Sequence, residues 1–141
     1  MTGTLLLLAL TMFGECRGCS RDEMRAVGHV VMNRVKQERT SVAQEVRRPG
    51  QFAPARLSFT QRINPKTADW KQWNMALSLA ENLGNDNTYG ATFFKTTKSR
   101  VSWPQLKLTT RVGPHNFYRK ASNDVQRTNT SRERNRVGDR K

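Results

Sequence analysis

The stretch Leu5 to Phe13 is apolar at every position except Thr11, and it constrains the fold more than any other segment. Nine residues fall far short of the ~20 needed to span a bilayer. No Lys or Arg precedes the run and no A-x-A-like site follows it, so it is a poor signal peptide. The remaining account is a helix buried at the centre of a domain. It ends abruptly in Gly14-Glu15-Cys16-Arg17-Gly18-Cys19, which places a lone carboxylate at the end of a hydrophobic element.

A second helix announces itself directly. Ser20-Arg-Asp-Glu23 reads as a capping box, and Met24, Val27, Val31 and Val35 follow at helical spacing to about Gln37. Ser41-Val-Ala-Gln44 suggests another capped turn. Pro49, Pro54 and Pro65 make residues 49 to 66 an ordered loop. Ala68 to Leu83 predicts a third substantial helix, with Trp70, Trp73, Leu77, Ala80 and Leu83 in register and Gly84 as its stop. The segment 88 to 118 turns β-branched and aromatic. Leu106 to Arg111, a turn at Gly113-Pro114 and His115 to Tyr118 predict a hairpin. Residues 121 to 141 are too polar to fold alone. The expectation is α+β: one mainly helical domain over residues 1 to 120 with a small late β element, then a basic tail.

The balance of 25 Lys+Arg against 11 Asp+Glu gives a net charge of +14, which draws the chain towards polyanions. Nucleic acid, an anionic membrane face and the acidic polymers of a bacterial envelope all qualify. Two cysteines are too few for a disulfide-stapled scaffold. C-x-x-C is half of a four-ligand zinc site, but no second pair exists and His29 and His115 lie outside the motif. A redox motif requires a βαβ setting that is not recognisable here. Two small residues in a turn between helices is the favoured reading.

Three clusters can carry chemistry. Glu15, packed by Leu8, Leu10 and Phe13, has the setting of a general acid whose proton is retained near neutral pH; an exposed Glu paired with Arg17 is the plainer alternative, and spacing alone favours it. Gln51-Phe52-Ala-Pro54 sets an amide and an aromatic on a stiffened loop, where Phe52 serves equally as a core plug. Phe94, Ser102, Trp103, His115, Asn116, Tyr118 and Arg119 interleave rings with polar groups. Such a surface suits sugar faces, and equally stacked nucleobases.

These stretches resemble the SleB/CwlJ-type cell-wall hydrolases, a family that also occurs in bacteriophages. The Y-G-E-A-R-G-E-like block corresponds to Phe13 to Cys19, V-x-N-R-V to Val31-Met-Asn33-Arg34-Val35, and Q-F-S-P to Gln51 to Pro54. An A-T-x-F-H-like block, an S-W and G-x-H-x-F-Y-R correspond to Ala91 to Lys95, Ser102-Trp103 and Gly113 to Arg119. The blocks stand in family order over roughly residues 5 to 120. Two positions depart from the pattern: Cys19 stands for a glutamate and Lys95 for a histidine.

The resemblance implies a lysozyme-like fold and cleavage of peptidoglycan between N-acetylmuramic acid and N-acetylglucosamine, with Glu15 as catalytic acid. It also implies substrate binding through Arg17, Gln51, Phe52, Phe94, Ser102, Trp103, His115, Asn116 and Tyr118. The family's catalytic glutamate thus reverses the preference drawn from spacing. With Asp22, Glu23, Asp69 and Glu81 outside any catalytic motif, a lytic transglycosylase is expected ahead of a muramidase with two carboxylates. A monomeric phage endolysin is expected, made in the host cytoplasm and acting in the wall, with no cofactor and no metal. Its basic surface would gather it on anionic envelope polymers or lipopolysaccharide. A single-stranded nucleic-acid-binding protein is the alternative from another class, though no nucleic-acid signature supports it.

Overall fold

The computed structural model describes residues 2–48, 52 and 68–121. The remainder of the proline-rich loop and the tail beyond residue 121 lie outside them. The described residues form four helices and a three-stranded antiparallel sheet: α1 (Gly3–Glu15), α2 (Arg21–Glu38), α3 (Val42–Val46), α4 (Ala68–Glu81), β1 (Phe93–Thr96), β2 (Leu106–Val112) and β3 (His115–Lys120). The fold is α+β, as the sequence predicts.

The apolar run is the axis of the domain. Thr2 caps α1 by accepting from the Leu5 N–H, and residues 8 to 13 are all buried. The one polar member, Thr11, donates its hydroxyl to the Leu7 carbonyl at 2.9 Å, so its burial leaves no unsatisfied donor. Helix α1 packs against α2, α3 and α4 together. Burying a large apolar side chain contributes ~1.5–3 kcal/mol, so Leu8, Leu10, Met12 and Phe13 account for much of the drive to fold. Phe13 meets Trp73 of α4 edge-on at 5.6 Å.

The capping box expected at Ser20/Glu23 forms, and the capped turn expected at Ser41 to Gln44 is a second reciprocal box that opens α3. Gly28 sets how closely α2 approaches α1: a Cβ there would lie 2.7 Å from Met12 Sδ and 2.9 Å from Leu83 Cδ1. The buried face of α4 differs from the expected one. Trp73, Ala76, Leu79 and Ala80 are buried, whereas Trp70 is 38% exposed. Ala76 is fully buried in the core that α1 and α4 share, and Trp70 sits in the first turn of α4.

The expected hairpin is present as β2 and β3, but β3 also pairs with β1, giving the order β1-β3-β2. Between β2 and β3 the register shifts at Leu108/Thr110, and Thr109 donates its hydroxyl to the Phe117 carbonyl at 3.1 Å. Phe117 is fully buried with Ala26, Val30 and Ala91, which seats the sheet on α2.

Candidate functional site

Glu15 is the last residue of α1, half-buried where the buried helix emerges. The loop that follows is fastened on all sides. Cys16 and Cys19 lie in the turn between α1 and α2, as expected, but they are joined in a disulfide, with Cα atoms 5.3 Å apart. Gln72 on α4 clamps this loop from both directions: its Oε1 accepts from the Gly18 N–H at 3.1 Å, and its Nε2 donates to the Cys19 carbonyl at 3.1 Å. Arg17 forms an ion pair with Asp69 and stands 5.2 Å from the Phe13 ring centroid. Gly18 has φ +81°, a left-handed backbone that glycine adopts without a Cβ penalty. The carboxylate is therefore presented from a rigid corner.

Glu15 lines a cleft of about 420 Å³ together with Arg34, Phe93, Phe94, Trp103, Gln105 and Leu106. Of the expected site residues, Glu15, Phe94 and Trp103 meet there. Phe94 stacks on Phe117 at 5.8 Å and meets the His115 ring edge-on at 5.8 Å. Trp103 packs at 5.3 Å on Tyr118 and at 5.8 Å on Phe93. His115 and Tyr118 thus support the lining rings from β3. Phe52 packs on Phe94 at 6.4 Å, and Asn116 lies in β3 opposite Lys95 and Arg111. Ser102 is exposed between β1 and β2, while Arg17 is taken up by Asp69. Gln51 lies outside the described residues.

Sequence reasoning gave no role to Arg34, which lines the same cleft. It is buried on α2, donates Nε to the Thr92 carbonyl at 2.5 Å, and its guanidinium stands 5.2 Å from the Phe52 ring and 4.7 Å from the Phe93 ring. Burial is the main reason its pKa lies below the ordinary value. The signal was present in the Asn33-Arg34 block. Asn33 donates to Asp86 Oδ2 at 3.0 Å and to the Ala91 carbonyl at 2.9 Å, fixing the chain that leads into β1. Lys95 donates to the Val101 carbonyl and stands over the Trp103 ring at 4.8 Å and the Tyr118 ring at 5.4 Å. It orders the aromatic wall.

A smaller hollow of about 200 Å³ shares Arg34 and Phe93 and adds Glu45, Arg48 and Lys120. Glu45, absent from the carboxylates weighed on sequence, is buried and accepts from Thr40 at 2.6 Å and Arg48 at 2.8 Å. Burial alone would raise its pKa, but these hydrogen bonds outweigh it and the value is lowered. Glu45 is thus an anion held in place rather than a proton donor.

A family model described as Cell Wall Hydrolase matches residues 18–118; Glu15 lies three residues before that match. The solved catalytic domain of the Bacillus cereus SleB protein superposes with a TM-score of 0.54 at 22% identity, over 82% of this chain and 89% of that one. No curated protein matches. The structural likeness speaks for the fold.

Proposed function

The chain belongs to the cell wall hydrolase family, the SleB/CwlJ type its motifs resemble, and we propose that it cleaves peptidoglycan glycan strands between N-acetylmuramic acid and N-acetylglucosamine. The observation that carries this reading is Glu15: among the described residues it is the only carboxylate lining the 420 Å³ cleft, facing rings suited to sugar C–H faces. Glu15 protonates the glycosidic oxygen as the bond to C1 of the muramyl sugar breaks. As carboxylate it then accepts the proton of the muramyl 6-hydroxyl, whose oxygen closes on C1 to give a 1,6-anhydro ring. One carboxylate suffices for this sequence, whereas hydrolysis by the usual glycosidase route needs two; a lytic transglycosylase is therefore the preferred reaction.

Residues 1 to 120 serve as the catalytic domain. The net charge of +14 concentrates the enzyme at anionic envelope polymers in a salt-dependent way, which suits a small endolysin acting on a host wall. The test is mass spectrometry of purified peptidoglycan digested by the wild type and by Glu15→Gln. Anhydro-muropeptides from the wild type, reduced about 10²–10⁴-fold in the variant, are expected. Reducing muramic ends would replace the transglycosylase with a muramidase. A folded Gln variant that still clears walls would remove Glu15 from the chemistry.

A further inference from the structure

The turn after Glu15 holds a second constellation that the proposed glycan chemistry does not use. Cys16, Cys19 and His115 bring two sulfurs and a ring nitrogen within 4.8 Å of one another. The three come from distant parts of the chain: the cysteines from the α1–α2 turn and His115 from the first position of β3. Cys16 and His115 are buried and Cys19 is half-buried. His115 Nδ1 is buried and has no hydrogen-bond partner among the described residues, in a setting where polar atoms are nearly always satisfied.

We propose that the reduced chain binds a thiophilic divalent cation of the zinc class through Cys16, Cys19 and His115, and that the disulfide is the metal-free, oxidised form of the same site. Tetrahedral zinc with sulfur at ~2.3 Å and nitrogen at ~2.0–2.1 Å needs donor atoms about 3.4–3.8 Å apart. All three donors lie within 4.8 Å of one another, and reduction frees the two bonded sulfurs to part to that spacing. The C-x-x-C interval is the one that zinc sites use on a turn, and Gln72 holds the turn by its backbone. Two thiolates and an imidazole leave a fourth position for water or a carboxylate. Glu23 is close to hand: its Oε2 lies where a Cβ on Gly113, two residues before His115, would fall.

The exchange balances as two steps. A dithiol or phosphine reductant gives two electrons to the Cys16–Cys19 bond; with two protons taken up, two thiols form and the reductant becomes its own disulfide or, with water, a phosphine oxide. The cation then displaces the two thiol protons. Reoxidation by an added small-molecule disulfide passes two electrons from the thiolates to that disulfide, which leaves as two thiols after taking up two protons; the S–S bond re-forms and the metal is released.

The experiment uses the full chain, reduced with a water-soluble phosphine under nitrogen and titrated with Co²⁺, then Zn²⁺. One Co²⁺ per chain is expected, with the visible bands of tetrahedral cobalt and a thiolate-to-cobalt charge-transfer band. Zn²⁺ should displace the colour, and the oxidised chain should show none of it. Cys19→Ser should weaken binding by more than the ~10–100-fold that loss of a supporting outer-shell group costs. His115→Phe keeps a ring against Phe94 and Phe117 and should weaken it comparably. A reduced chain that takes up no more Co²⁺ than Cys16→Ser/Cys19→Ser would overturn the site. Undiminished affinity in His115→Phe would reduce it to a bare dithiol and equally refute it. These readouts do not involve Glu15 or glycan cleavage, so they stand apart from the fate of the enzymatic reading.

Discussion

Arg34→Lys keeps the charge on α2 and removes the geometry, which makes it a sharp probe of how the cleft is built. The guanidinium does two things an ammonium cannot do at once: it lies against the Phe52 and Phe93 rings and donates Nε to the buried Thr92 carbonyl. A hydrogen bond involving a charged group contributes about 1.5–3 kcal/mol, and each ring contact about 0.5–1 kcal/mol. Lysine recovers part of this, because its ammonium can approach one ring or the carbonyl, though it pays a larger desolvation cost. The net loss should be about 1.5–3 kcal/mol. For a chain of 141 residues, each kcal/mol lowers Tm by about 3–4 °C, so a fall of about 5–12 °C is expected in a thermal melt. Glycan cleavage should fall too, because Arg34 and Phe93 both line the cleft. A variant melting within a degree of wild type would show that the stacked guanidinium does not support this wall, and the argument for Arg34 would fail.

Burial, the largest influence on His29, holds its pKa below the ordinary value of 6.5. The unfolded chain then binds the proton more readily, so stability is greatest above about pH 6.5 and is lost as pH falls towards the folded value. Tm should drop between pH 7.5 and 5.5, and His29→Gln should flatten that slope; parallel slopes would clear His29 of the effect. Gly113→Ala should cost about 2–3 kcal/mol, since its φ is +58° and the new Cβ would lie 1.6 Å from Glu23 Oε2. Glu23 would be driven out of its 2.7 Å bond to the Ser20 N–H. Adding Glu23→Ala should cost less than the sum of the two single changes, and full additivity in melts would refute the collision.

Much of the scaffold was legible because periodicity and caps are local signals. The apolar run, the two capping boxes and the Gly113-Pro114 turn each declare themselves within a few residues. Strand β1 did not, because Phe93-Phe94-Lys95-Thr96 lacks alternation and owes its pairing to β3. Trp70 looked like core because it shares a helical stripe with Trp73, yet at the start of α4 it is left exposed. Arg34 was visible only as a member of the Asn33-Arg34 block, since its burial depends on rings and a carbonyl supplied from residues 52, 92 and 93. The meeting of His115 with Cys16 and Cys19 is likewise invisible in sequence, because the register of β3 alone brings that histidine to the turn. The cleft's rings were visible as composition; which of them face Glu15 was decided by tertiary packing.

The strand order carries a consequence for how the molecule is made. β3 is the middle strand and the last of the three to leave the ribosome. Until it emerges, β1 has no neighbour, β2 has no hairpin partner, and Phe117 has not reached α2. The helical half can begin to compact during synthesis, but the aromatic wall facing Glu15 waits for residues 115–120. A chain that has not yet placed residues 115–120 therefore presents Glu15 without the rings of its cleft held from β3.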